Sequence, residues 1–94
     1  MTEDKARQAA RDALLSNPSF VGFKMTNAEA RKRFSEHFVV RRADIMEKWH
    51  AIATIAMSDS ITSEWTYILY GKGGNDIMFM FEDPVQMVFA RLLV

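Results

Sequence analysis

Apolar positions recur along this chain at two periods, helical through its first half and strand-like over residues 65–81. In residues 2–15, Ala6, Ala9, Ala10, Ala13 and Leu14 share one side, and Glu3 and Asp4 occupy the first turn, where the helix dipole favours negative charge. Alanine dominates that side, so each position buries little area and the helix is weakly anchored. Asn17-Pro18-Ser19 ends it, because the residue before proline is pushed out of the helical region and proline has no amide hydrogen. A short extended piece is predicted over residues 20–24. Thr26-Asn27-Ala28-Glu29 then has the form of a capping box. It predicts a second helix to about His37, with Ala30, Phe34 and Phe38 on its inner side.

Over residues 43–57, Ile45, Met46, Trp49, Ile52, Ala53 and Ala56 fall within about 120° of a helical wheel, which predicts a third helix. The β-branched residues Ile52, Thr54 and Ile55 also fit a strand over 50–57, though the helix accounts for more positions. The pattern then changes. Trp65 to Tyr70 has aromatic and β-branched strand content, residues 71–76 supply turn chemistry, and Ile77 to Phe81 returns as a second strand, so this is a β-hairpin. Glu82-Asp83-Pro84 starts a last helix, with Asp83 as N-cap and proline at the first helical position. Val85, Val88, Phe89 and Leu92 form its apolar stripe, while residues 90–94 fit either the end of that helix or a short strand. The prediction is a small single α+β domain over residues 1–94, with three to four helices packed on an antiparallel hairpin or small sheet.

Composition narrows the function classes. At 94 residues, 49% hydrophobic and 26% charged, with only 4 Gly and 2 Pro, the chain is too apolar for a disordered tail. It has no cysteine, which removes disulfides, thiolate metal sites and cysteine nucleophiles together. The charged N-terminus lacks a signal peptide's apolar stretch and no run approaches a membrane span, so a cytoplasmic location is expected. The net charge of zero conceals a gradient. Residues 1–56 hold ten basic against seven acidic groups and residues 57–94 hold two against five, leaving +3 and −3. Arg31, Lys32, Arg33, Arg41 and Arg42 crowd into twelve residues with Glu36 as the only acid.

Catalytic motifs are absent. His37 and His50 lack ligand spacing, and Gly71-Lys72-Gly73-Gly74 sits between two strands, where a phosphate loop would need a strand and a helix. Ser58, Ser60 and Ser63 lack a nucleophile elbow, while Glu82 and Asp83 are explained by helix capping. No cofactor or metal is expected, and the chain reads as a non-enzyme.

The hairpin carries the functional expectation. Residues 77–81 are apolar at all five positions, so both faces of the hairpin want cover. Helices can cover one. The other is either folded under by the first helix or the extended N-terminal piece, or left for a partner. Met78 and Met80 lie opposite Ile77, Phe79 and Phe81, and flexible thioethers suit both gap filling and adaptable binding. Their face is the one expected to meet a second copy or a target protein.

The stretch from Ile77 to Leu93, with its Phe81-Glu82-Asp83 corner and Leu92-Leu93 ending, resembles small uncharacterised proteins of tailed bacteriophages. Those proteins tend to end in an apolar strand, an acidic corner, a short helix and a Leu-rich strand, commonly closing on Trp-Gly where this chain has Leu93-Val94. The resemblance implies a phage accessory protein that binds and inhibits or modulates a host protein, and a final segment that pairs with the hairpin as a strand.

The expectation is therefore a self-associating interaction module using Met78 and Met80, with Arg31, Lys32, Arg33, Arg41 and Arg42 steering encounter. Two alternatives stand beside it. The same basic residues suit a nucleic-acid-binding or regulatory domain, and Trp65, Tyr67 and Tyr70 suit a small-molecule or nucleotide pocket between protomers.

Overall fold

The computed structural model describes residues 3–41, 48–74 and 76–94. Its strand β3 (Asp76–Phe81) is apolar on both sides and therefore takes the centre of a three-stranded antiparallel sheet. β2 (Trp65–Tyr70) flanks it on one side and β1 (Glu36–Val40) on the other, in the order β1-β3-β2. Four α-helices complete the described residues: α1 (Glu3–Leu15), α2 (Asn27–Arg33), α3 (Lys48–Ala56) and α4 (Pro84–Leu93). The chain folds as a small α+β domain, as its pattern predicts.

Register sorts the side chains into two layers. Phe38 and Tyr67 both stand opposite Phe79, which puts Trp65, Ile77, Phe79, Phe81, Phe38 and Val40 on one face. The rings form a ladder there, with Trp65 stacked on Phe81 at 6.1 Å and Phe38 tilted on Phe79 at 5.3 Å. α3 lies over this face and buries Ala51, Ile52, Ile55 and Ala56, while α1 joins the same core through Ala10 and Leu14. Ile55 falls outside the predicted stripe of α3 and is buried because the helix is covered from two directions. Alanines at positions 6 and 10 are the means by which α1 comes close, and Arg7 lies 5.5 Å above the Trp49 ring.

The opposite face carries Thr66, Ile68, Met78 and Met80. Met80 and Ile68 pack with Val21, Ala30 and Phe34 in a second cluster that Met25 and Met78 border. The chain's own residues 21–34 thus roof the face on which a partner was expected. The roof is seated by its connections: Val21 N donates to Trp65 O and Trp65 N to Ser19 O, each at 3.0 Å, beside a parallel bridge between Phe20 and Trp65. Gly22 lets the turn lie flat, since a Cβ there would stand 2.3 Å from Thr66 Oγ1.

Several boundaries follow the predicted chemistry. Asn17 Oδ1 accepts from Ser19 N and Phe20 N at 2.9 and 3.1 Å, and its Nδ2 donates to Ala56 O at 2.8 Å, so one side chain closes α1 and ties it to the end of α3. Thr26 Oγ1 accepts from Glu29 N at 3.2 Å and donates to the Glu29 carboxylate at 3.1 Å. Asp83 caps α4 by accepting from Val85 N at 2.8 Å, with Pro84 in the first turn.

Other expectations are corrected. The second helix stops at Arg33, and Phe34 already has extended geometry (φ −98°, ψ 117°). Glu36–Val40 is a strand because β3 needs a second neighbour and because His37-Phe38-Val39-Val40 favours a pleated surface. The piece at 20–24 reduces to the Phe20 bridge and a 3₁₀ turn, Gly22–Lys24. Lys48–Ala56 is helical, while the predicted start of that helix at 43–47 lies outside the described residues. Residues 90–93 continue α4, so the final strand implied by the phage-like ending does not form.

Candidate interaction surfaces

The residues expected to meet a partner do not share a surface. Met80 is 1% exposed and Trp65 is fully buried, so neither reaches a partner, and this expectation is corrected. Met78 is half-buried at the edge of the roof. Tyr67 lies on the aromatic face with Trp65, whereas Tyr70 shares the opposite face with Ile68, so the three do not line one pocket. The phenol of Tyr67 is half-buried between Phe20, at 5.7 Å, and Phe79, at 6.3 Å.

Burial pushes the Tyr67 phenol above its ordinary pKa of 10.0, and the Arg7 charge pulls it partly back. A folded pKa above the unfolded one means stability that is complete below pH 10 and is lost as pH rises through the folded value. Alkaline urea titrations are expected to show this loss above pH 10. Tyr67→Phe should flatten the loss, and an unchanged slope would show that another group causes it.

The expected steering residues fare differently. Arg31, Lys32 and Arg33 form the last turn of α2 and are exposed, as is Arg41 just beyond β1, while Arg42 lies outside the described residues. Because α2 roofs the Met80 face, anything approaching that side meets these cations first. Arg33 is committed: its guanidinium lies 5.1 Å over the Phe34 ring and pairs with the Glu64 carboxylate. The ammonium groups of Lys24 and Lys32 make no hydrogen bond or ion pair among the described residues.

Between them runs a groove of about 510 Å³, lined by Val21, Met25, Lys24, Lys32, Arg33 and two acids. Both acids are occupied, Glu29 by the Thr26 hydroxyl and Glu64 by Arg33. The groove therefore offers an apolar floor under two free ammonium groups. Sequence reading found Lys32 and Arg33 through their clustering but missed Lys24, Val21 and Met25. Those three are separated from the cluster in the chain, and the 3₁₀ turn brings them back to it.

A second surface lies on the aromatic-face side of the sheet, on α4. The helix docks through Ala90 and Met87. Its predicted stripe of Val85, Val88, Phe89 and Leu92 faces outward, and all four are exposed, Leu92 to 78%. Gln86 sets this rotation. Its Oε1 accepts from Thr62 N, Ser63 N and Ser63 Oγ at 2.8–2.9 Å, and its Nε2 donates to Thr62 Oγ1 at 2.7 Å.

Among the described residues, no three His, Cys, Asp or Glu side chains cluster as metal ligands, and no helix is long and apolar enough to cross a membrane. His37 and His50 are both exposed, on β1 and α3. No protein-family model, curated protein or solved structure matches the chain.

Proposed function

We propose that this chain is a non-enzymatic interaction module that holds an acidic segment of a partner protein along α2, with an apolar side chain of that segment seated in the groove. The observation that carries this reading is the pairing of the Lys24 and Lys32 ammonium groups, both without partners among the described residues, with a floor of Val21 and Met25. Methionine suits such a floor because its thioether adapts to different side chains. Arg31 and Arg41 widen the positive field and would raise the encounter rate more than the final affinity. The phage-like ending of the sequence makes a host protein the class of target to test first.

Nucleic acid is the rival anion. The whole chain is electroneutral, unlike a typical nucleic-acid-binding domain, and Phe23, the exposed aromatic residue next to Lys24 in the chain, is held edge-on to Phe20 beneath Arg11. Fluorescence anisotropy with a labelled Asp-Glu-Phe-Asp-Glu peptide and a labelled single-stranded DNA 12-mer separates the two. The peptide is expected to bind, more weakly as salt rises. The double variant Lys24→Glu/Lys32→Glu should lose roughly tenfold or more, since each exposed pair contributes about 0.2–1 kcal/mol and reversal turns attraction into repulsion. Tighter binding of the DNA, no peptide binding, or peptide binding indifferent to the double variant would each overturn the proposal.

A further inference from the structure

We infer that α4 pairs with α4 of a second copy of this chain, antiparallel across a two-fold axis. The starting point is a helix that is apolar on two sides. Ala90 and Met87 use one side for the core, and Val85, Val88, Phe89 and Leu92 occupy about 100° of the other. A helix apolar all round is normally buried all round. Here Gln86 and the Asp83 cap fix the rotation, so the stripe cannot be turned inward without breaking the bonds to Thr62 and Ser63.

The spacing of the stripe says which occupant fits. Positions 85, 88, 89 and 92 read the same from either end. Reversing the helix about the point between Val88 and Phe89 therefore places Val88 against Phe89 of the second copy and Val85 against Leu92. Such a patch is self-complementary, which a two-fold interface requires. Charge points to the same arrangement. Glu82 is exposed just before the helix and Arg91 is exposed in its last turn. Antiparallel pairing brings the acidic start of one helix toward Arg91 of the other and opposes the two helix dipoles, whereas parallel pairing would bring like charges together. No ionised side chain lies within the stripe itself.

The area is sufficient without being generous. At their exposures the stripe residues and Leu93 leave on the order of 500 Å² of apolar surface in water, the upper range for a monomer. Two such patches bury roughly 1,000 Å², the lower limit of a specific interface, so dissociation in the micromolar range is expected. α2 and its groove lie on the other face of the sheet, and each dimer would display two of them.

Sedimentation equilibrium tests the inference. The unmodified chain is expected to be a dimer at hundreds of micromolar. Val88→Glu and Leu92→Glu alter exposed positions, so circular dichroism should show an intact fold while association weakens roughly 100-fold or more. Glu82→Arg should weaken the dimer, and adding Arg91→Glu should restore it, a signature that parallel helices would not give. A monomer at every concentration, or a dimer insensitive to Val88→Glu and Leu92→Glu, overturns the pairing, including the case in which the stripe serves the apolar groove of a different protein. Loss with Val88→Glu but no rescue by the charge exchange overturns the antiparallel arrangement. Neither outcome bears on the peptide groove, whose variants leave α4 untouched.

Discussion

Met80→Lys is expected to unfold this domain, or to leave so little stability that its urea transition moves to the lowest denaturant concentrations. Met80 stands opposite Thr66 and His37 in the sheet and is sealed by Val21, Ala30 and Phe34. Losing its burial removes about 1.5–3 kcal/mol. The replacement adds an ammonium group that must shed its proton to stay inside, a depression of roughly 3–5 pKa units that costs about 4–5 kcal/mol at neutral pH and more in acid. Together these rival the total stability of a small domain, about 5–15 kcal/mol. The sign with pH follows. An ammonium whose folded pKa is depressed destabilises most at low pH, so the variant should recover part of its stability between pH 7 and pH 10. Met78→Lys is the control. Its side chain lies on the same face but is half-buried at the rim, where a lysine can extend to water, and about 1 kcal/mol is expected. Equal stabilities for the two variants would mean that α2 does not seal the face.

That contrast shows what the sequence could convey about this face. Strict alternation along Ile77 to Phe81 was enough to put Met78 and Met80 on one side and the phenylalanines on the other. It could not say what covers the methionines, because the cover comes from residues 21–34, and its position depends on the Gly22 approach to Thr66 and on two backbone bonds to Trp65. Local chemistry was legible wherever it was self-contained: the Thr26 and Asp83 caps, the stop at Asn17 and the hairpin turn.

β1 was missed for a specific reason. Ala30, Phe34 and Phe38 are four apart, a spacing that suits one side of a helix and so carries the capped helix on through the residues that form β1. The structure sends Phe34 to the methionine cluster and Phe38 to the aromatic ladder, on opposite faces of the sheet. The period-two signal at 37–40 was present, with Phe38 and Val40 buried and His37 and Val39 exposed, but four residues are too few to outweigh a capped helix running into them. For α4 the stripe was read correctly and its direction was not stated by the pattern, since a polar side chain, Gln86, decides the rotation through the backbone of a distant loop. The groove beside α2 is assembled from the 3₁₀ turn, the helix and Glu64, which no single window of sequence contains.

Trp65 is expected to give the opposite lesson, a buried residue whose two replacements differ by several kcal/mol. The ring is fully buried, stacked on Phe81 and tilted against Phe20 at 5.0 Å and Phe79 at 6.4 Å. Trp65→Ala removes that ring system and leaves a cavity where β2, β3 and the Phe20 segment meet, at a cost of about 3–5 kcal/mol. A second effect follows from position: with the indole gone, the roof loses the packing that accompanies the Ser19 and Val21 backbone bonds, so the methionine cluster should loosen as well. Trp65→Phe keeps a ring in the ladder. The indole Nε1 finds no acceptor among the described residues, so its removal breaks no hydrogen bond and relieves a buried donor worth about 1–3 kcal/mol. That relief offsets the smaller cavity, and a net change within about 1 kcal/mol is expected. Urea denaturation of the two variants measures the difference directly. If phenylalanine costs as much as alanine, stabilisation at this position comes from a bond to the indole N–H and not from ring packing.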